Sequence, residues 1–155
     1  MLRPTLDVRL QHGDTGDWTL RALVDTGAPI TFFDGGAGDA IGIRFGHAGA
    51  EYATIRILGG TWRVQFEHVD FTLPAEQGIT WTARVAVAMD PTLQMPFQGV
   101  LGTDGFLDKF AVTFNEYYGY FIIERPDDFH ERVGRHLTDD PTHTTSHSWL
   151  RGRNR

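Results

Sequence analysis

The sequence contains no cysteine in its 155 residues. Disulfides, thiolate metal sites and a cysteine nucleophile are thereby excluded. There is also no stretch approaching the roughly 20 apolar residues of a membrane-spanning helix. The first residues, MLRPTLDVRLQHGDTGDW, lack an apolar core of signal-peptide length. A cytoplasmic location with no membrane partner is the expectation. Positive charge is not in excess, the formal net charge being -6 at pH 7. A general nucleic-acid binder would show a basic face, so no nucleic-acid partner is expected. No internal repeat of useful length occurs.

What is present points to strands. The length suits one domain with room for a sizeable core. Glycine is abundant, at 18 residues, and aromatics make up 12% of the chain. That combination favours many short strands joined by turns. Residues 5–11 alternate, with Leu6, Val8 and Leu10 on one face, and 18–24 alternate with Trp18, Leu20, Ala22 and Val24 sharing a face. With the polar turn 12–17 between them they predict an N-terminal hairpin. After Asp25 comes a turn, a short apolar strand over 30–33, and a glycine-rich stretch 34–43 with room for one helical turn.

Two longer strands, 52–58 and 61–73, flank Gly59-Gly60, a hairpin signal. Trp62, Val64 and Phe66 share one face, whereas Val69, Phe71 and Leu73 fall on the opposite phase. That change predicts a bulge or sharp bend near Glu67-His68. A further strand is expected over 81–88, a proline-bearing loop over 89–98, and a brief apolar run at 99–102. The segment 103–110 is the best helix candidate, with Thr103 or Asp104 as its N-cap. A last hairpin is expected from 111–115 and 120–124. Beyond Arg125, a short helix over 127–137 carries Phe129, Val133 and Leu137 on one stripe. The polar, histidine-bearing remainder is expected to be disordered.

The informative segment is Ala22-Leu23-Val24-Asp25-Thr26-Gly27-Ala28-Pro29-Ile30-Thr31. An apolar strand runs into Asp-Thr-Gly and then returns to apolar residues. This suits a carboxylate fixed at the tip of a strand-turn. Gly27 removes the side chain that would obstruct a second such turn, and Thr26 offers a hydroxyl to a partner loop. The tripeptide alone decides little, because Asp14-Thr15-Gly16 is a second copy. That copy lacks apolar flanks and reads as a hairpin turn, where Asp and Gly are favoured anyway.

Three anchors in order carry a resemblance. They are Leu23-Val24-Asp25-Thr26-Gly27-Ala28, the hairpin Ile57-Leu58-Gly59-Gly60-Thr61-Trp62, and Gly99-Val100-Leu101-Gly102 followed by Thr103-Asp104-Gly105-Phe106-Leu107. Together they resemble the retropepsin-like aspartic peptidases, the group containing retroviral proteases and single-domain bacterial relatives. The spacing from Asp25 to the hairpin departs from the retroviral enzymes in being longer, though bacterial relatives often have a longer insert, and the resemblance is to that bacterial type.

The resemblance implies an all-β, single-domain, closed barrel with one short helix over 1–124, followed by an extension over 125–155. It implies Asp25 as the catalytic residue, set in a turn with Thr26, Gly27 and Ala28. Leu58, Gly59, Gly60 and Trp62 would form a substrate-covering flap, and Val100, Leu101 and Gly102 would support the turn. One Asp-Thr-Gly is half a site, so the implied partner is a second copy of the chain. The implied substrate is a peptide or protein, with no cofactor.

Competing readings stand beside these. Ala28 is either a small wall of the site or turn packing. Trp62 lines the cleft or belongs to the core. Asp104 reads as a helix cap, and His68 as a surface or bulge residue. His130, His136, His143 and His147 lack ligand spacing within a folded frame, so no metal site is expected. Arg151, Arg153 and Arg155 read as a solvated end. The functional alternative is a non-catalytic module of the same fold, serving dimerisation or peptide binding.

Overall fold

The computed structural model describes residues 3–57 and 59–139. Its strands are β1 (Thr5–Gln11), β2 (Asp17–Val24), β3 (Phe32–Phe33), β4 (Glu51–Ile57), β5 (Gly60–Leu73), β6 (Glu76–Ala88), β7 (Gly99–Leu101), β8 (Ala111–Asn115) and β9 (Tyr120–Glu124). Two helices are described, α1 (Gly35–Ala40) and α2 (Pro126–Asp139). The main sheet runs in the order β1-β2-β7-β3-β6-β5-β4, and a further pairing of β1 with β5 closes it. The result is the expected all-β closed barrel: β1, β2, β7, β3, β6 and β5 form the ring, with β4 added along β5. β8 and β9 pair with each other as a separate ribbon.

Alternation decides what each strand buries. Val8 and Leu10 of β1 and Leu20, Ala22 and Val24 of β2 enter the barrel core, while Arg9 and Arg21 between them stay outside. β3 shows the rule in two residues: Phe33 joins the barrel core, and Phe32 joins a second cluster with Val64, Ala86 and Ala88. Aromatic packing dominates the barrel. Phe71 stacks on Trp81 with centroids 4.7 Å apart, and Phe110 meets Trp81 edge-on at 4.9 Å. The half-buried indole still needs an acceptor, and Trp81 Nε1 donates to the Gly105 carbonyl at 3.0 Å.

The phase change in β5 is real, but it needs no bulge at Glu67-His68. Pairing with β6 runs regularly from Val64 opposite Ala88 to Thr72 opposite Thr80, and the one irregularity lies between Thr72 and Leu73. The reason is a change of partner along the other edge. Residues 60–66 pair with β4, whereas residues 70–72 pair with β1. The first half therefore turns Val64 and Phe66 to the second cluster, and the second half turns Val69, Phe71 and Leu73 into the barrel.

The segment 103–110 forms turns instead of a helix. Gly105 takes φ 98, a left-handed value that breaks helical continuity. The bonds Leu107 N to Gly102 O and Asp108 N to Thr103 O span five residues, not four. The cap also runs the other way, with Asp108 Oδ1 accepting from Gly105 N at 3.0 Å. The described helices lie elsewhere. In α1, the Asp34 carboxylate accepts from Ala37 N at 2.8 Å as N-cap. α2 covers the expected 127–137, with Phe129 and Val133 half-buried. Its side chains from position 135 on, including His136 and Leu137, lie outside the described residues. So do the expected disordered stretch beyond position 139, with His143, His147, Arg151, Arg153 and Arg155.

Candidate active site

Asp25 directly follows β2, and the neighbouring strand explains its position. β7 runs parallel to β2, pairing Ala22 with Gly99, Leu23 with Val100, and Val24 with Leu101. The ladder continues one step, because Asp25 N donates to Leu101 O at 3.0 Å. The first and third sequence anchors are thus adjacent strands. The turn closes on itself through Ala28 N to Asp25 O at 3.2 Å. The Asp25 carboxylate is oriented from within the turn, since its Oδ1 accepts from Gly27 N at 2.8 Å.

The chain leaving the turn is held as firmly. Thr103 N and Asp104 N donate to Ala28 O and Pro29 O at 2.8 and 3.1 Å, and Thr31 N donates to Asp104 O at 2.8 Å. Asp104 acts here through its backbone, bridging to Ile30, and not as a helix cap. Gly102 sits where no side chain fits: a Cβ there would lie 2.5 Å from Ile30 O and 2.7 Å from Ala28 O. Thr31, fully buried, directs its hydroxyl oxygen to accept from Gly102 N at 3.1 Å. Sequence reasoning missed this residue. The available signal was a lone hydroxyl in the apolar run Ile30-Thr31-Phe32-Phe33.

The turn opens into a cleft of about 610 Å³. Asp25 and Thr26 form one wall, residues 3–5 another, and the β8–β9 ribbon, through Phe114, Tyr120 and Phe121, a third. Thr26 and Gly27 are exposed, and Ala28 is buried beneath them. The ribbon's participation was also missed, although its exposed tyrosines in Tyr117-Tyr118-Gly119-Tyr120 were legible as surface aromatics.

The other expected site residues divide. Val100, Leu101 and Gly102 are buried and lie against the turn. Gly59, at φ 77, turns the β4–β5 hairpin, while Gly60 packs against the Trp62 indole. Neither glycine lines the Asp25 cleft, and nor does Trp62, which packs with Ile30, Leu93 and Met95 on the second cluster. Leu58 lies outside the described residues. His68 is exposed and paired opposite Arg84 in regular sheet. Among the described residues, no group of three or more His, Asp or Glu side chains is arranged to hold a metal ion.

The fold is similar to that of a retroviral protease. EIAV protease, solved in complex with an inhibitor, superimposes with a TM-score of 0.46 at 24% identity, over 65% of this chain and 82% of the protease. No protein-family model and no curated protein matches the sequence.

Proposed function

We propose that the protein is an aspartic endopeptidase that works as a homodimer, with Asp25 of each copy supplying half of the site. The observation that carries this reading is the Asp25 turn. Asp25 lines an open cleft, while its backbone is bonded to β7 and the residues that follow it are bonded to Thr103 and Asp104. Such rigidity suits preorganised chemistry. One carboxylate cannot be ionised to take the water proton and protonated to polarise the carbonyl in the same step, so the two-aspartate mechanism needs a second from elsewhere. A two-fold axis beside Asp25 supplies it without a second motif.

In that arrangement the carboxylates share one proton, because like charges about 3 Å apart cannot both ionise. The ionised member takes a proton from a bound water as the water attacks the peptide carbonyl. The protonated member donates to the carbonyl oxygen. The tetrahedral diol collapses when the newly protonated carboxyl gives its proton to the amide nitrogen and the C–N bond breaks. The other carboxylate, now ionised, takes back a proton from a diol hydroxyl, which leaves the pair sharing one proton again. Substrate would lie extended, through strand-like backbone pairing, with the β4–β5 hairpin as its cover. The retropepsin-like motif pattern, of bacterial type, supports this reading, with residues 1–124 as the catalytic domain and 125–155 as an extension.

Asp25→Asn is the deciding variant. It keeps an acceptor for Gly27 N but cannot serve as base, so peptide hydrolysis falls by at least about a hundredfold while the thermal transition is retained. Turnover at the unsubstituted rate in the purified variant would overturn the assignment. The alternative, a non-catalytic dimerisation or peptide-binding module, draws on the exposed aromatic ribbon beside the cleft. It predicts an unsubstituted protein that dimerises or binds peptide and never cleaves.

A further inference from the structure

Far from the Asp25 turn, three segments distant in sequence converge on one carboxylate. Glu67 of β5 is mostly buried. Its Oε1 lies 2.7 Å from His47 Nε2 and accepts from Gln65 Nε2 at 2.6 Å. Its Oε2 lies 3.4 Å from His12 Nε2. Gln65 is fully buried and extends the network: its Oε1 accepts from Gly46 N at 2.9 Å, and its Nε2 also donates to Arg44 O at 3.0 Å. The turn after β1, the loop between α1 and β4, and β5 are thus tied together by side chains.

His47 is the sensitive member. Its Nδ1 lies 3.0 Å from Ala48 O and its Nε2 lies against Glu67, so both ring nitrogens face acceptors. A neutral imidazole carries one N–H and can satisfy only one of them; the imidazolium satisfies both. We propose that His12, His47 and Glu67 form a pH-operated latch at the root of the β4–β5 hairpin, closed when His47 is charged and loosened when His47 loses its proton.

The position gives the latch its consequence. The first pair of the hairpin, Glu51 with Phe66, adjoins Glu67, and the loop that His47 holds leads directly into β4. The groups facing Glu67 are His12 from the β1–β2 turn, His47 from the loop and Gln65 from its own strand. Arg44 enters the network through its carbonyl. Across on β6, Val85 is opposite Glu67, and the adjacent Arg84 is engaged by Glu51 and by the Phe66 ring.

The charges agree with this geometry. The Ala48 carbonyl, then the bond to Glu67, raise the His47 imidazole above its ordinary 6.5. Burial alone would raise the Glu67 carboxyl, but bonds from His47 and Gln65 and the charges of both histidines outweigh it and hold the group below 4.5. A raised histidine contributes fully below 6.5, and its contribution is lost as pH rises through the raised value. A lowered carboxyl contributes fully above 4.5 and loses its contribution as pH falls through the lowered value. The latch is therefore fully closed in mild acid and opens as pH rises through the raised His47 value.

The latch is independent of peptidase activity and can be followed without a substrate. Amide hydrogen exchange on the full chain, corrected for intrinsic rates, would be compared at about pH 5.5 and about pH 8, on either side of the histidine range. Protection at Gly46 and Ala50 should fall several-fold at the higher pH, while Phe71 in the barrel keeps its protection. His47 followed by NMR should titrate above free imidazole. In Glu67→Gln it should return toward the free value, and the pH dependence at Gly46 and Ala50 should flatten; His47→Gln should flatten it too. Equal protection at both pH values in the unsubstituted protein would overturn the latch, as would an unchanged pH dependence in the two variants.

Discussion

At the scale of single residues, the Asp25 turn depends on neighbours that do no chemistry. Gly102 is the tightest of them, with two carbonyl oxygens where its Cβ would be. Gly102→Ala must push the 28–30 segment away, and such overpacking costs about 1–3 kcal/mol. Urea unfolding should show this loss, and the proposed peptide hydrolysis should fall further than stability alone explains because the carboxylate moves. Thr31→Val keeps the shape but leaves the buried Gly102 N–H without its hydroxyl acceptor. A buried donor left unpaired costs about 1–3 kcal/mol, so the urea midpoint should drop while Thr31→Ser stays near the unsubstituted protein. Equal midpoints for the Val and Ser variants would show that the hydroxyl does not support the turn.

At the scale of elements, β5 shows how a strand serves two cores. A one-residue phase shift in its apolar pattern reads as an inserted residue. The structure uses an exchange of edge partner from β4 to β1 instead, and the ladder to β6 continues through it. Phe71, packed between Phe33 and Trp81, belongs to the barrel half. Phe71→Ala should cost about 3–5 kcal/mol, seen as a large fall in the thermal midpoint. α1 depends on Asp34, whose second oxygen also accepts from Met95 N at 3.2 Å in the proline-bearing loop. Asp34→Ala removes the cap, worth about 0.5–2 kcal/mol, and should also free the loop 89–98 to proteolysis. A variant with unaltered loop cleavage would show that Asp34 serves the helix alone.

At the scale of the whole molecule, the proposed peptidase reading makes activity conditional on association, since one chain supplies a single Asp25 turn. If each copy brings half of the site, specific activity falls on dilution as dimers dissociate. Activity strictly proportional to protein down to the lowest assayable concentration, with a monomer in sedimentation, would remove the homodimer from the mechanism. The β8–β9 ribbon borders the same cleft, with Tyr117 88% and Tyr118 72% exposed. A second copy close enough to bring two Asp25 turns together would cover part of that face. Tyr118→Ser should weaken sedimentation of the dimer while leaving the monomer's thermal transition in place.

The sequence by itself determined most of the strands, the β1–β2, β4–β5 and β8–β9 hairpins and the Asp25 segment, but not the β5–β6 hairpin, whose second strand starts at Glu76 instead of Trp81. Each of these depends on period-two alternation, on turn-forming glycine, or on a contiguous run of residue types, and all of those are local. It also linked Leu23-Val24 with Val100-Leu101 by motif order, and the parallel β2–β7 ladder is the physical form of that link. Tertiary structure alone decided three things. Residues 103–110 became turns because Gly105 takes a left-handed φ and the backbone of Asp104 is bonded to the Asp25 loop. β5 crossed between cores without a bulge because two different strands share its edge. His12, His47 and Glu67 met because closing the barrel brings a turn, a loop and a strand to one corner, and no sequence spacing encodes that meeting.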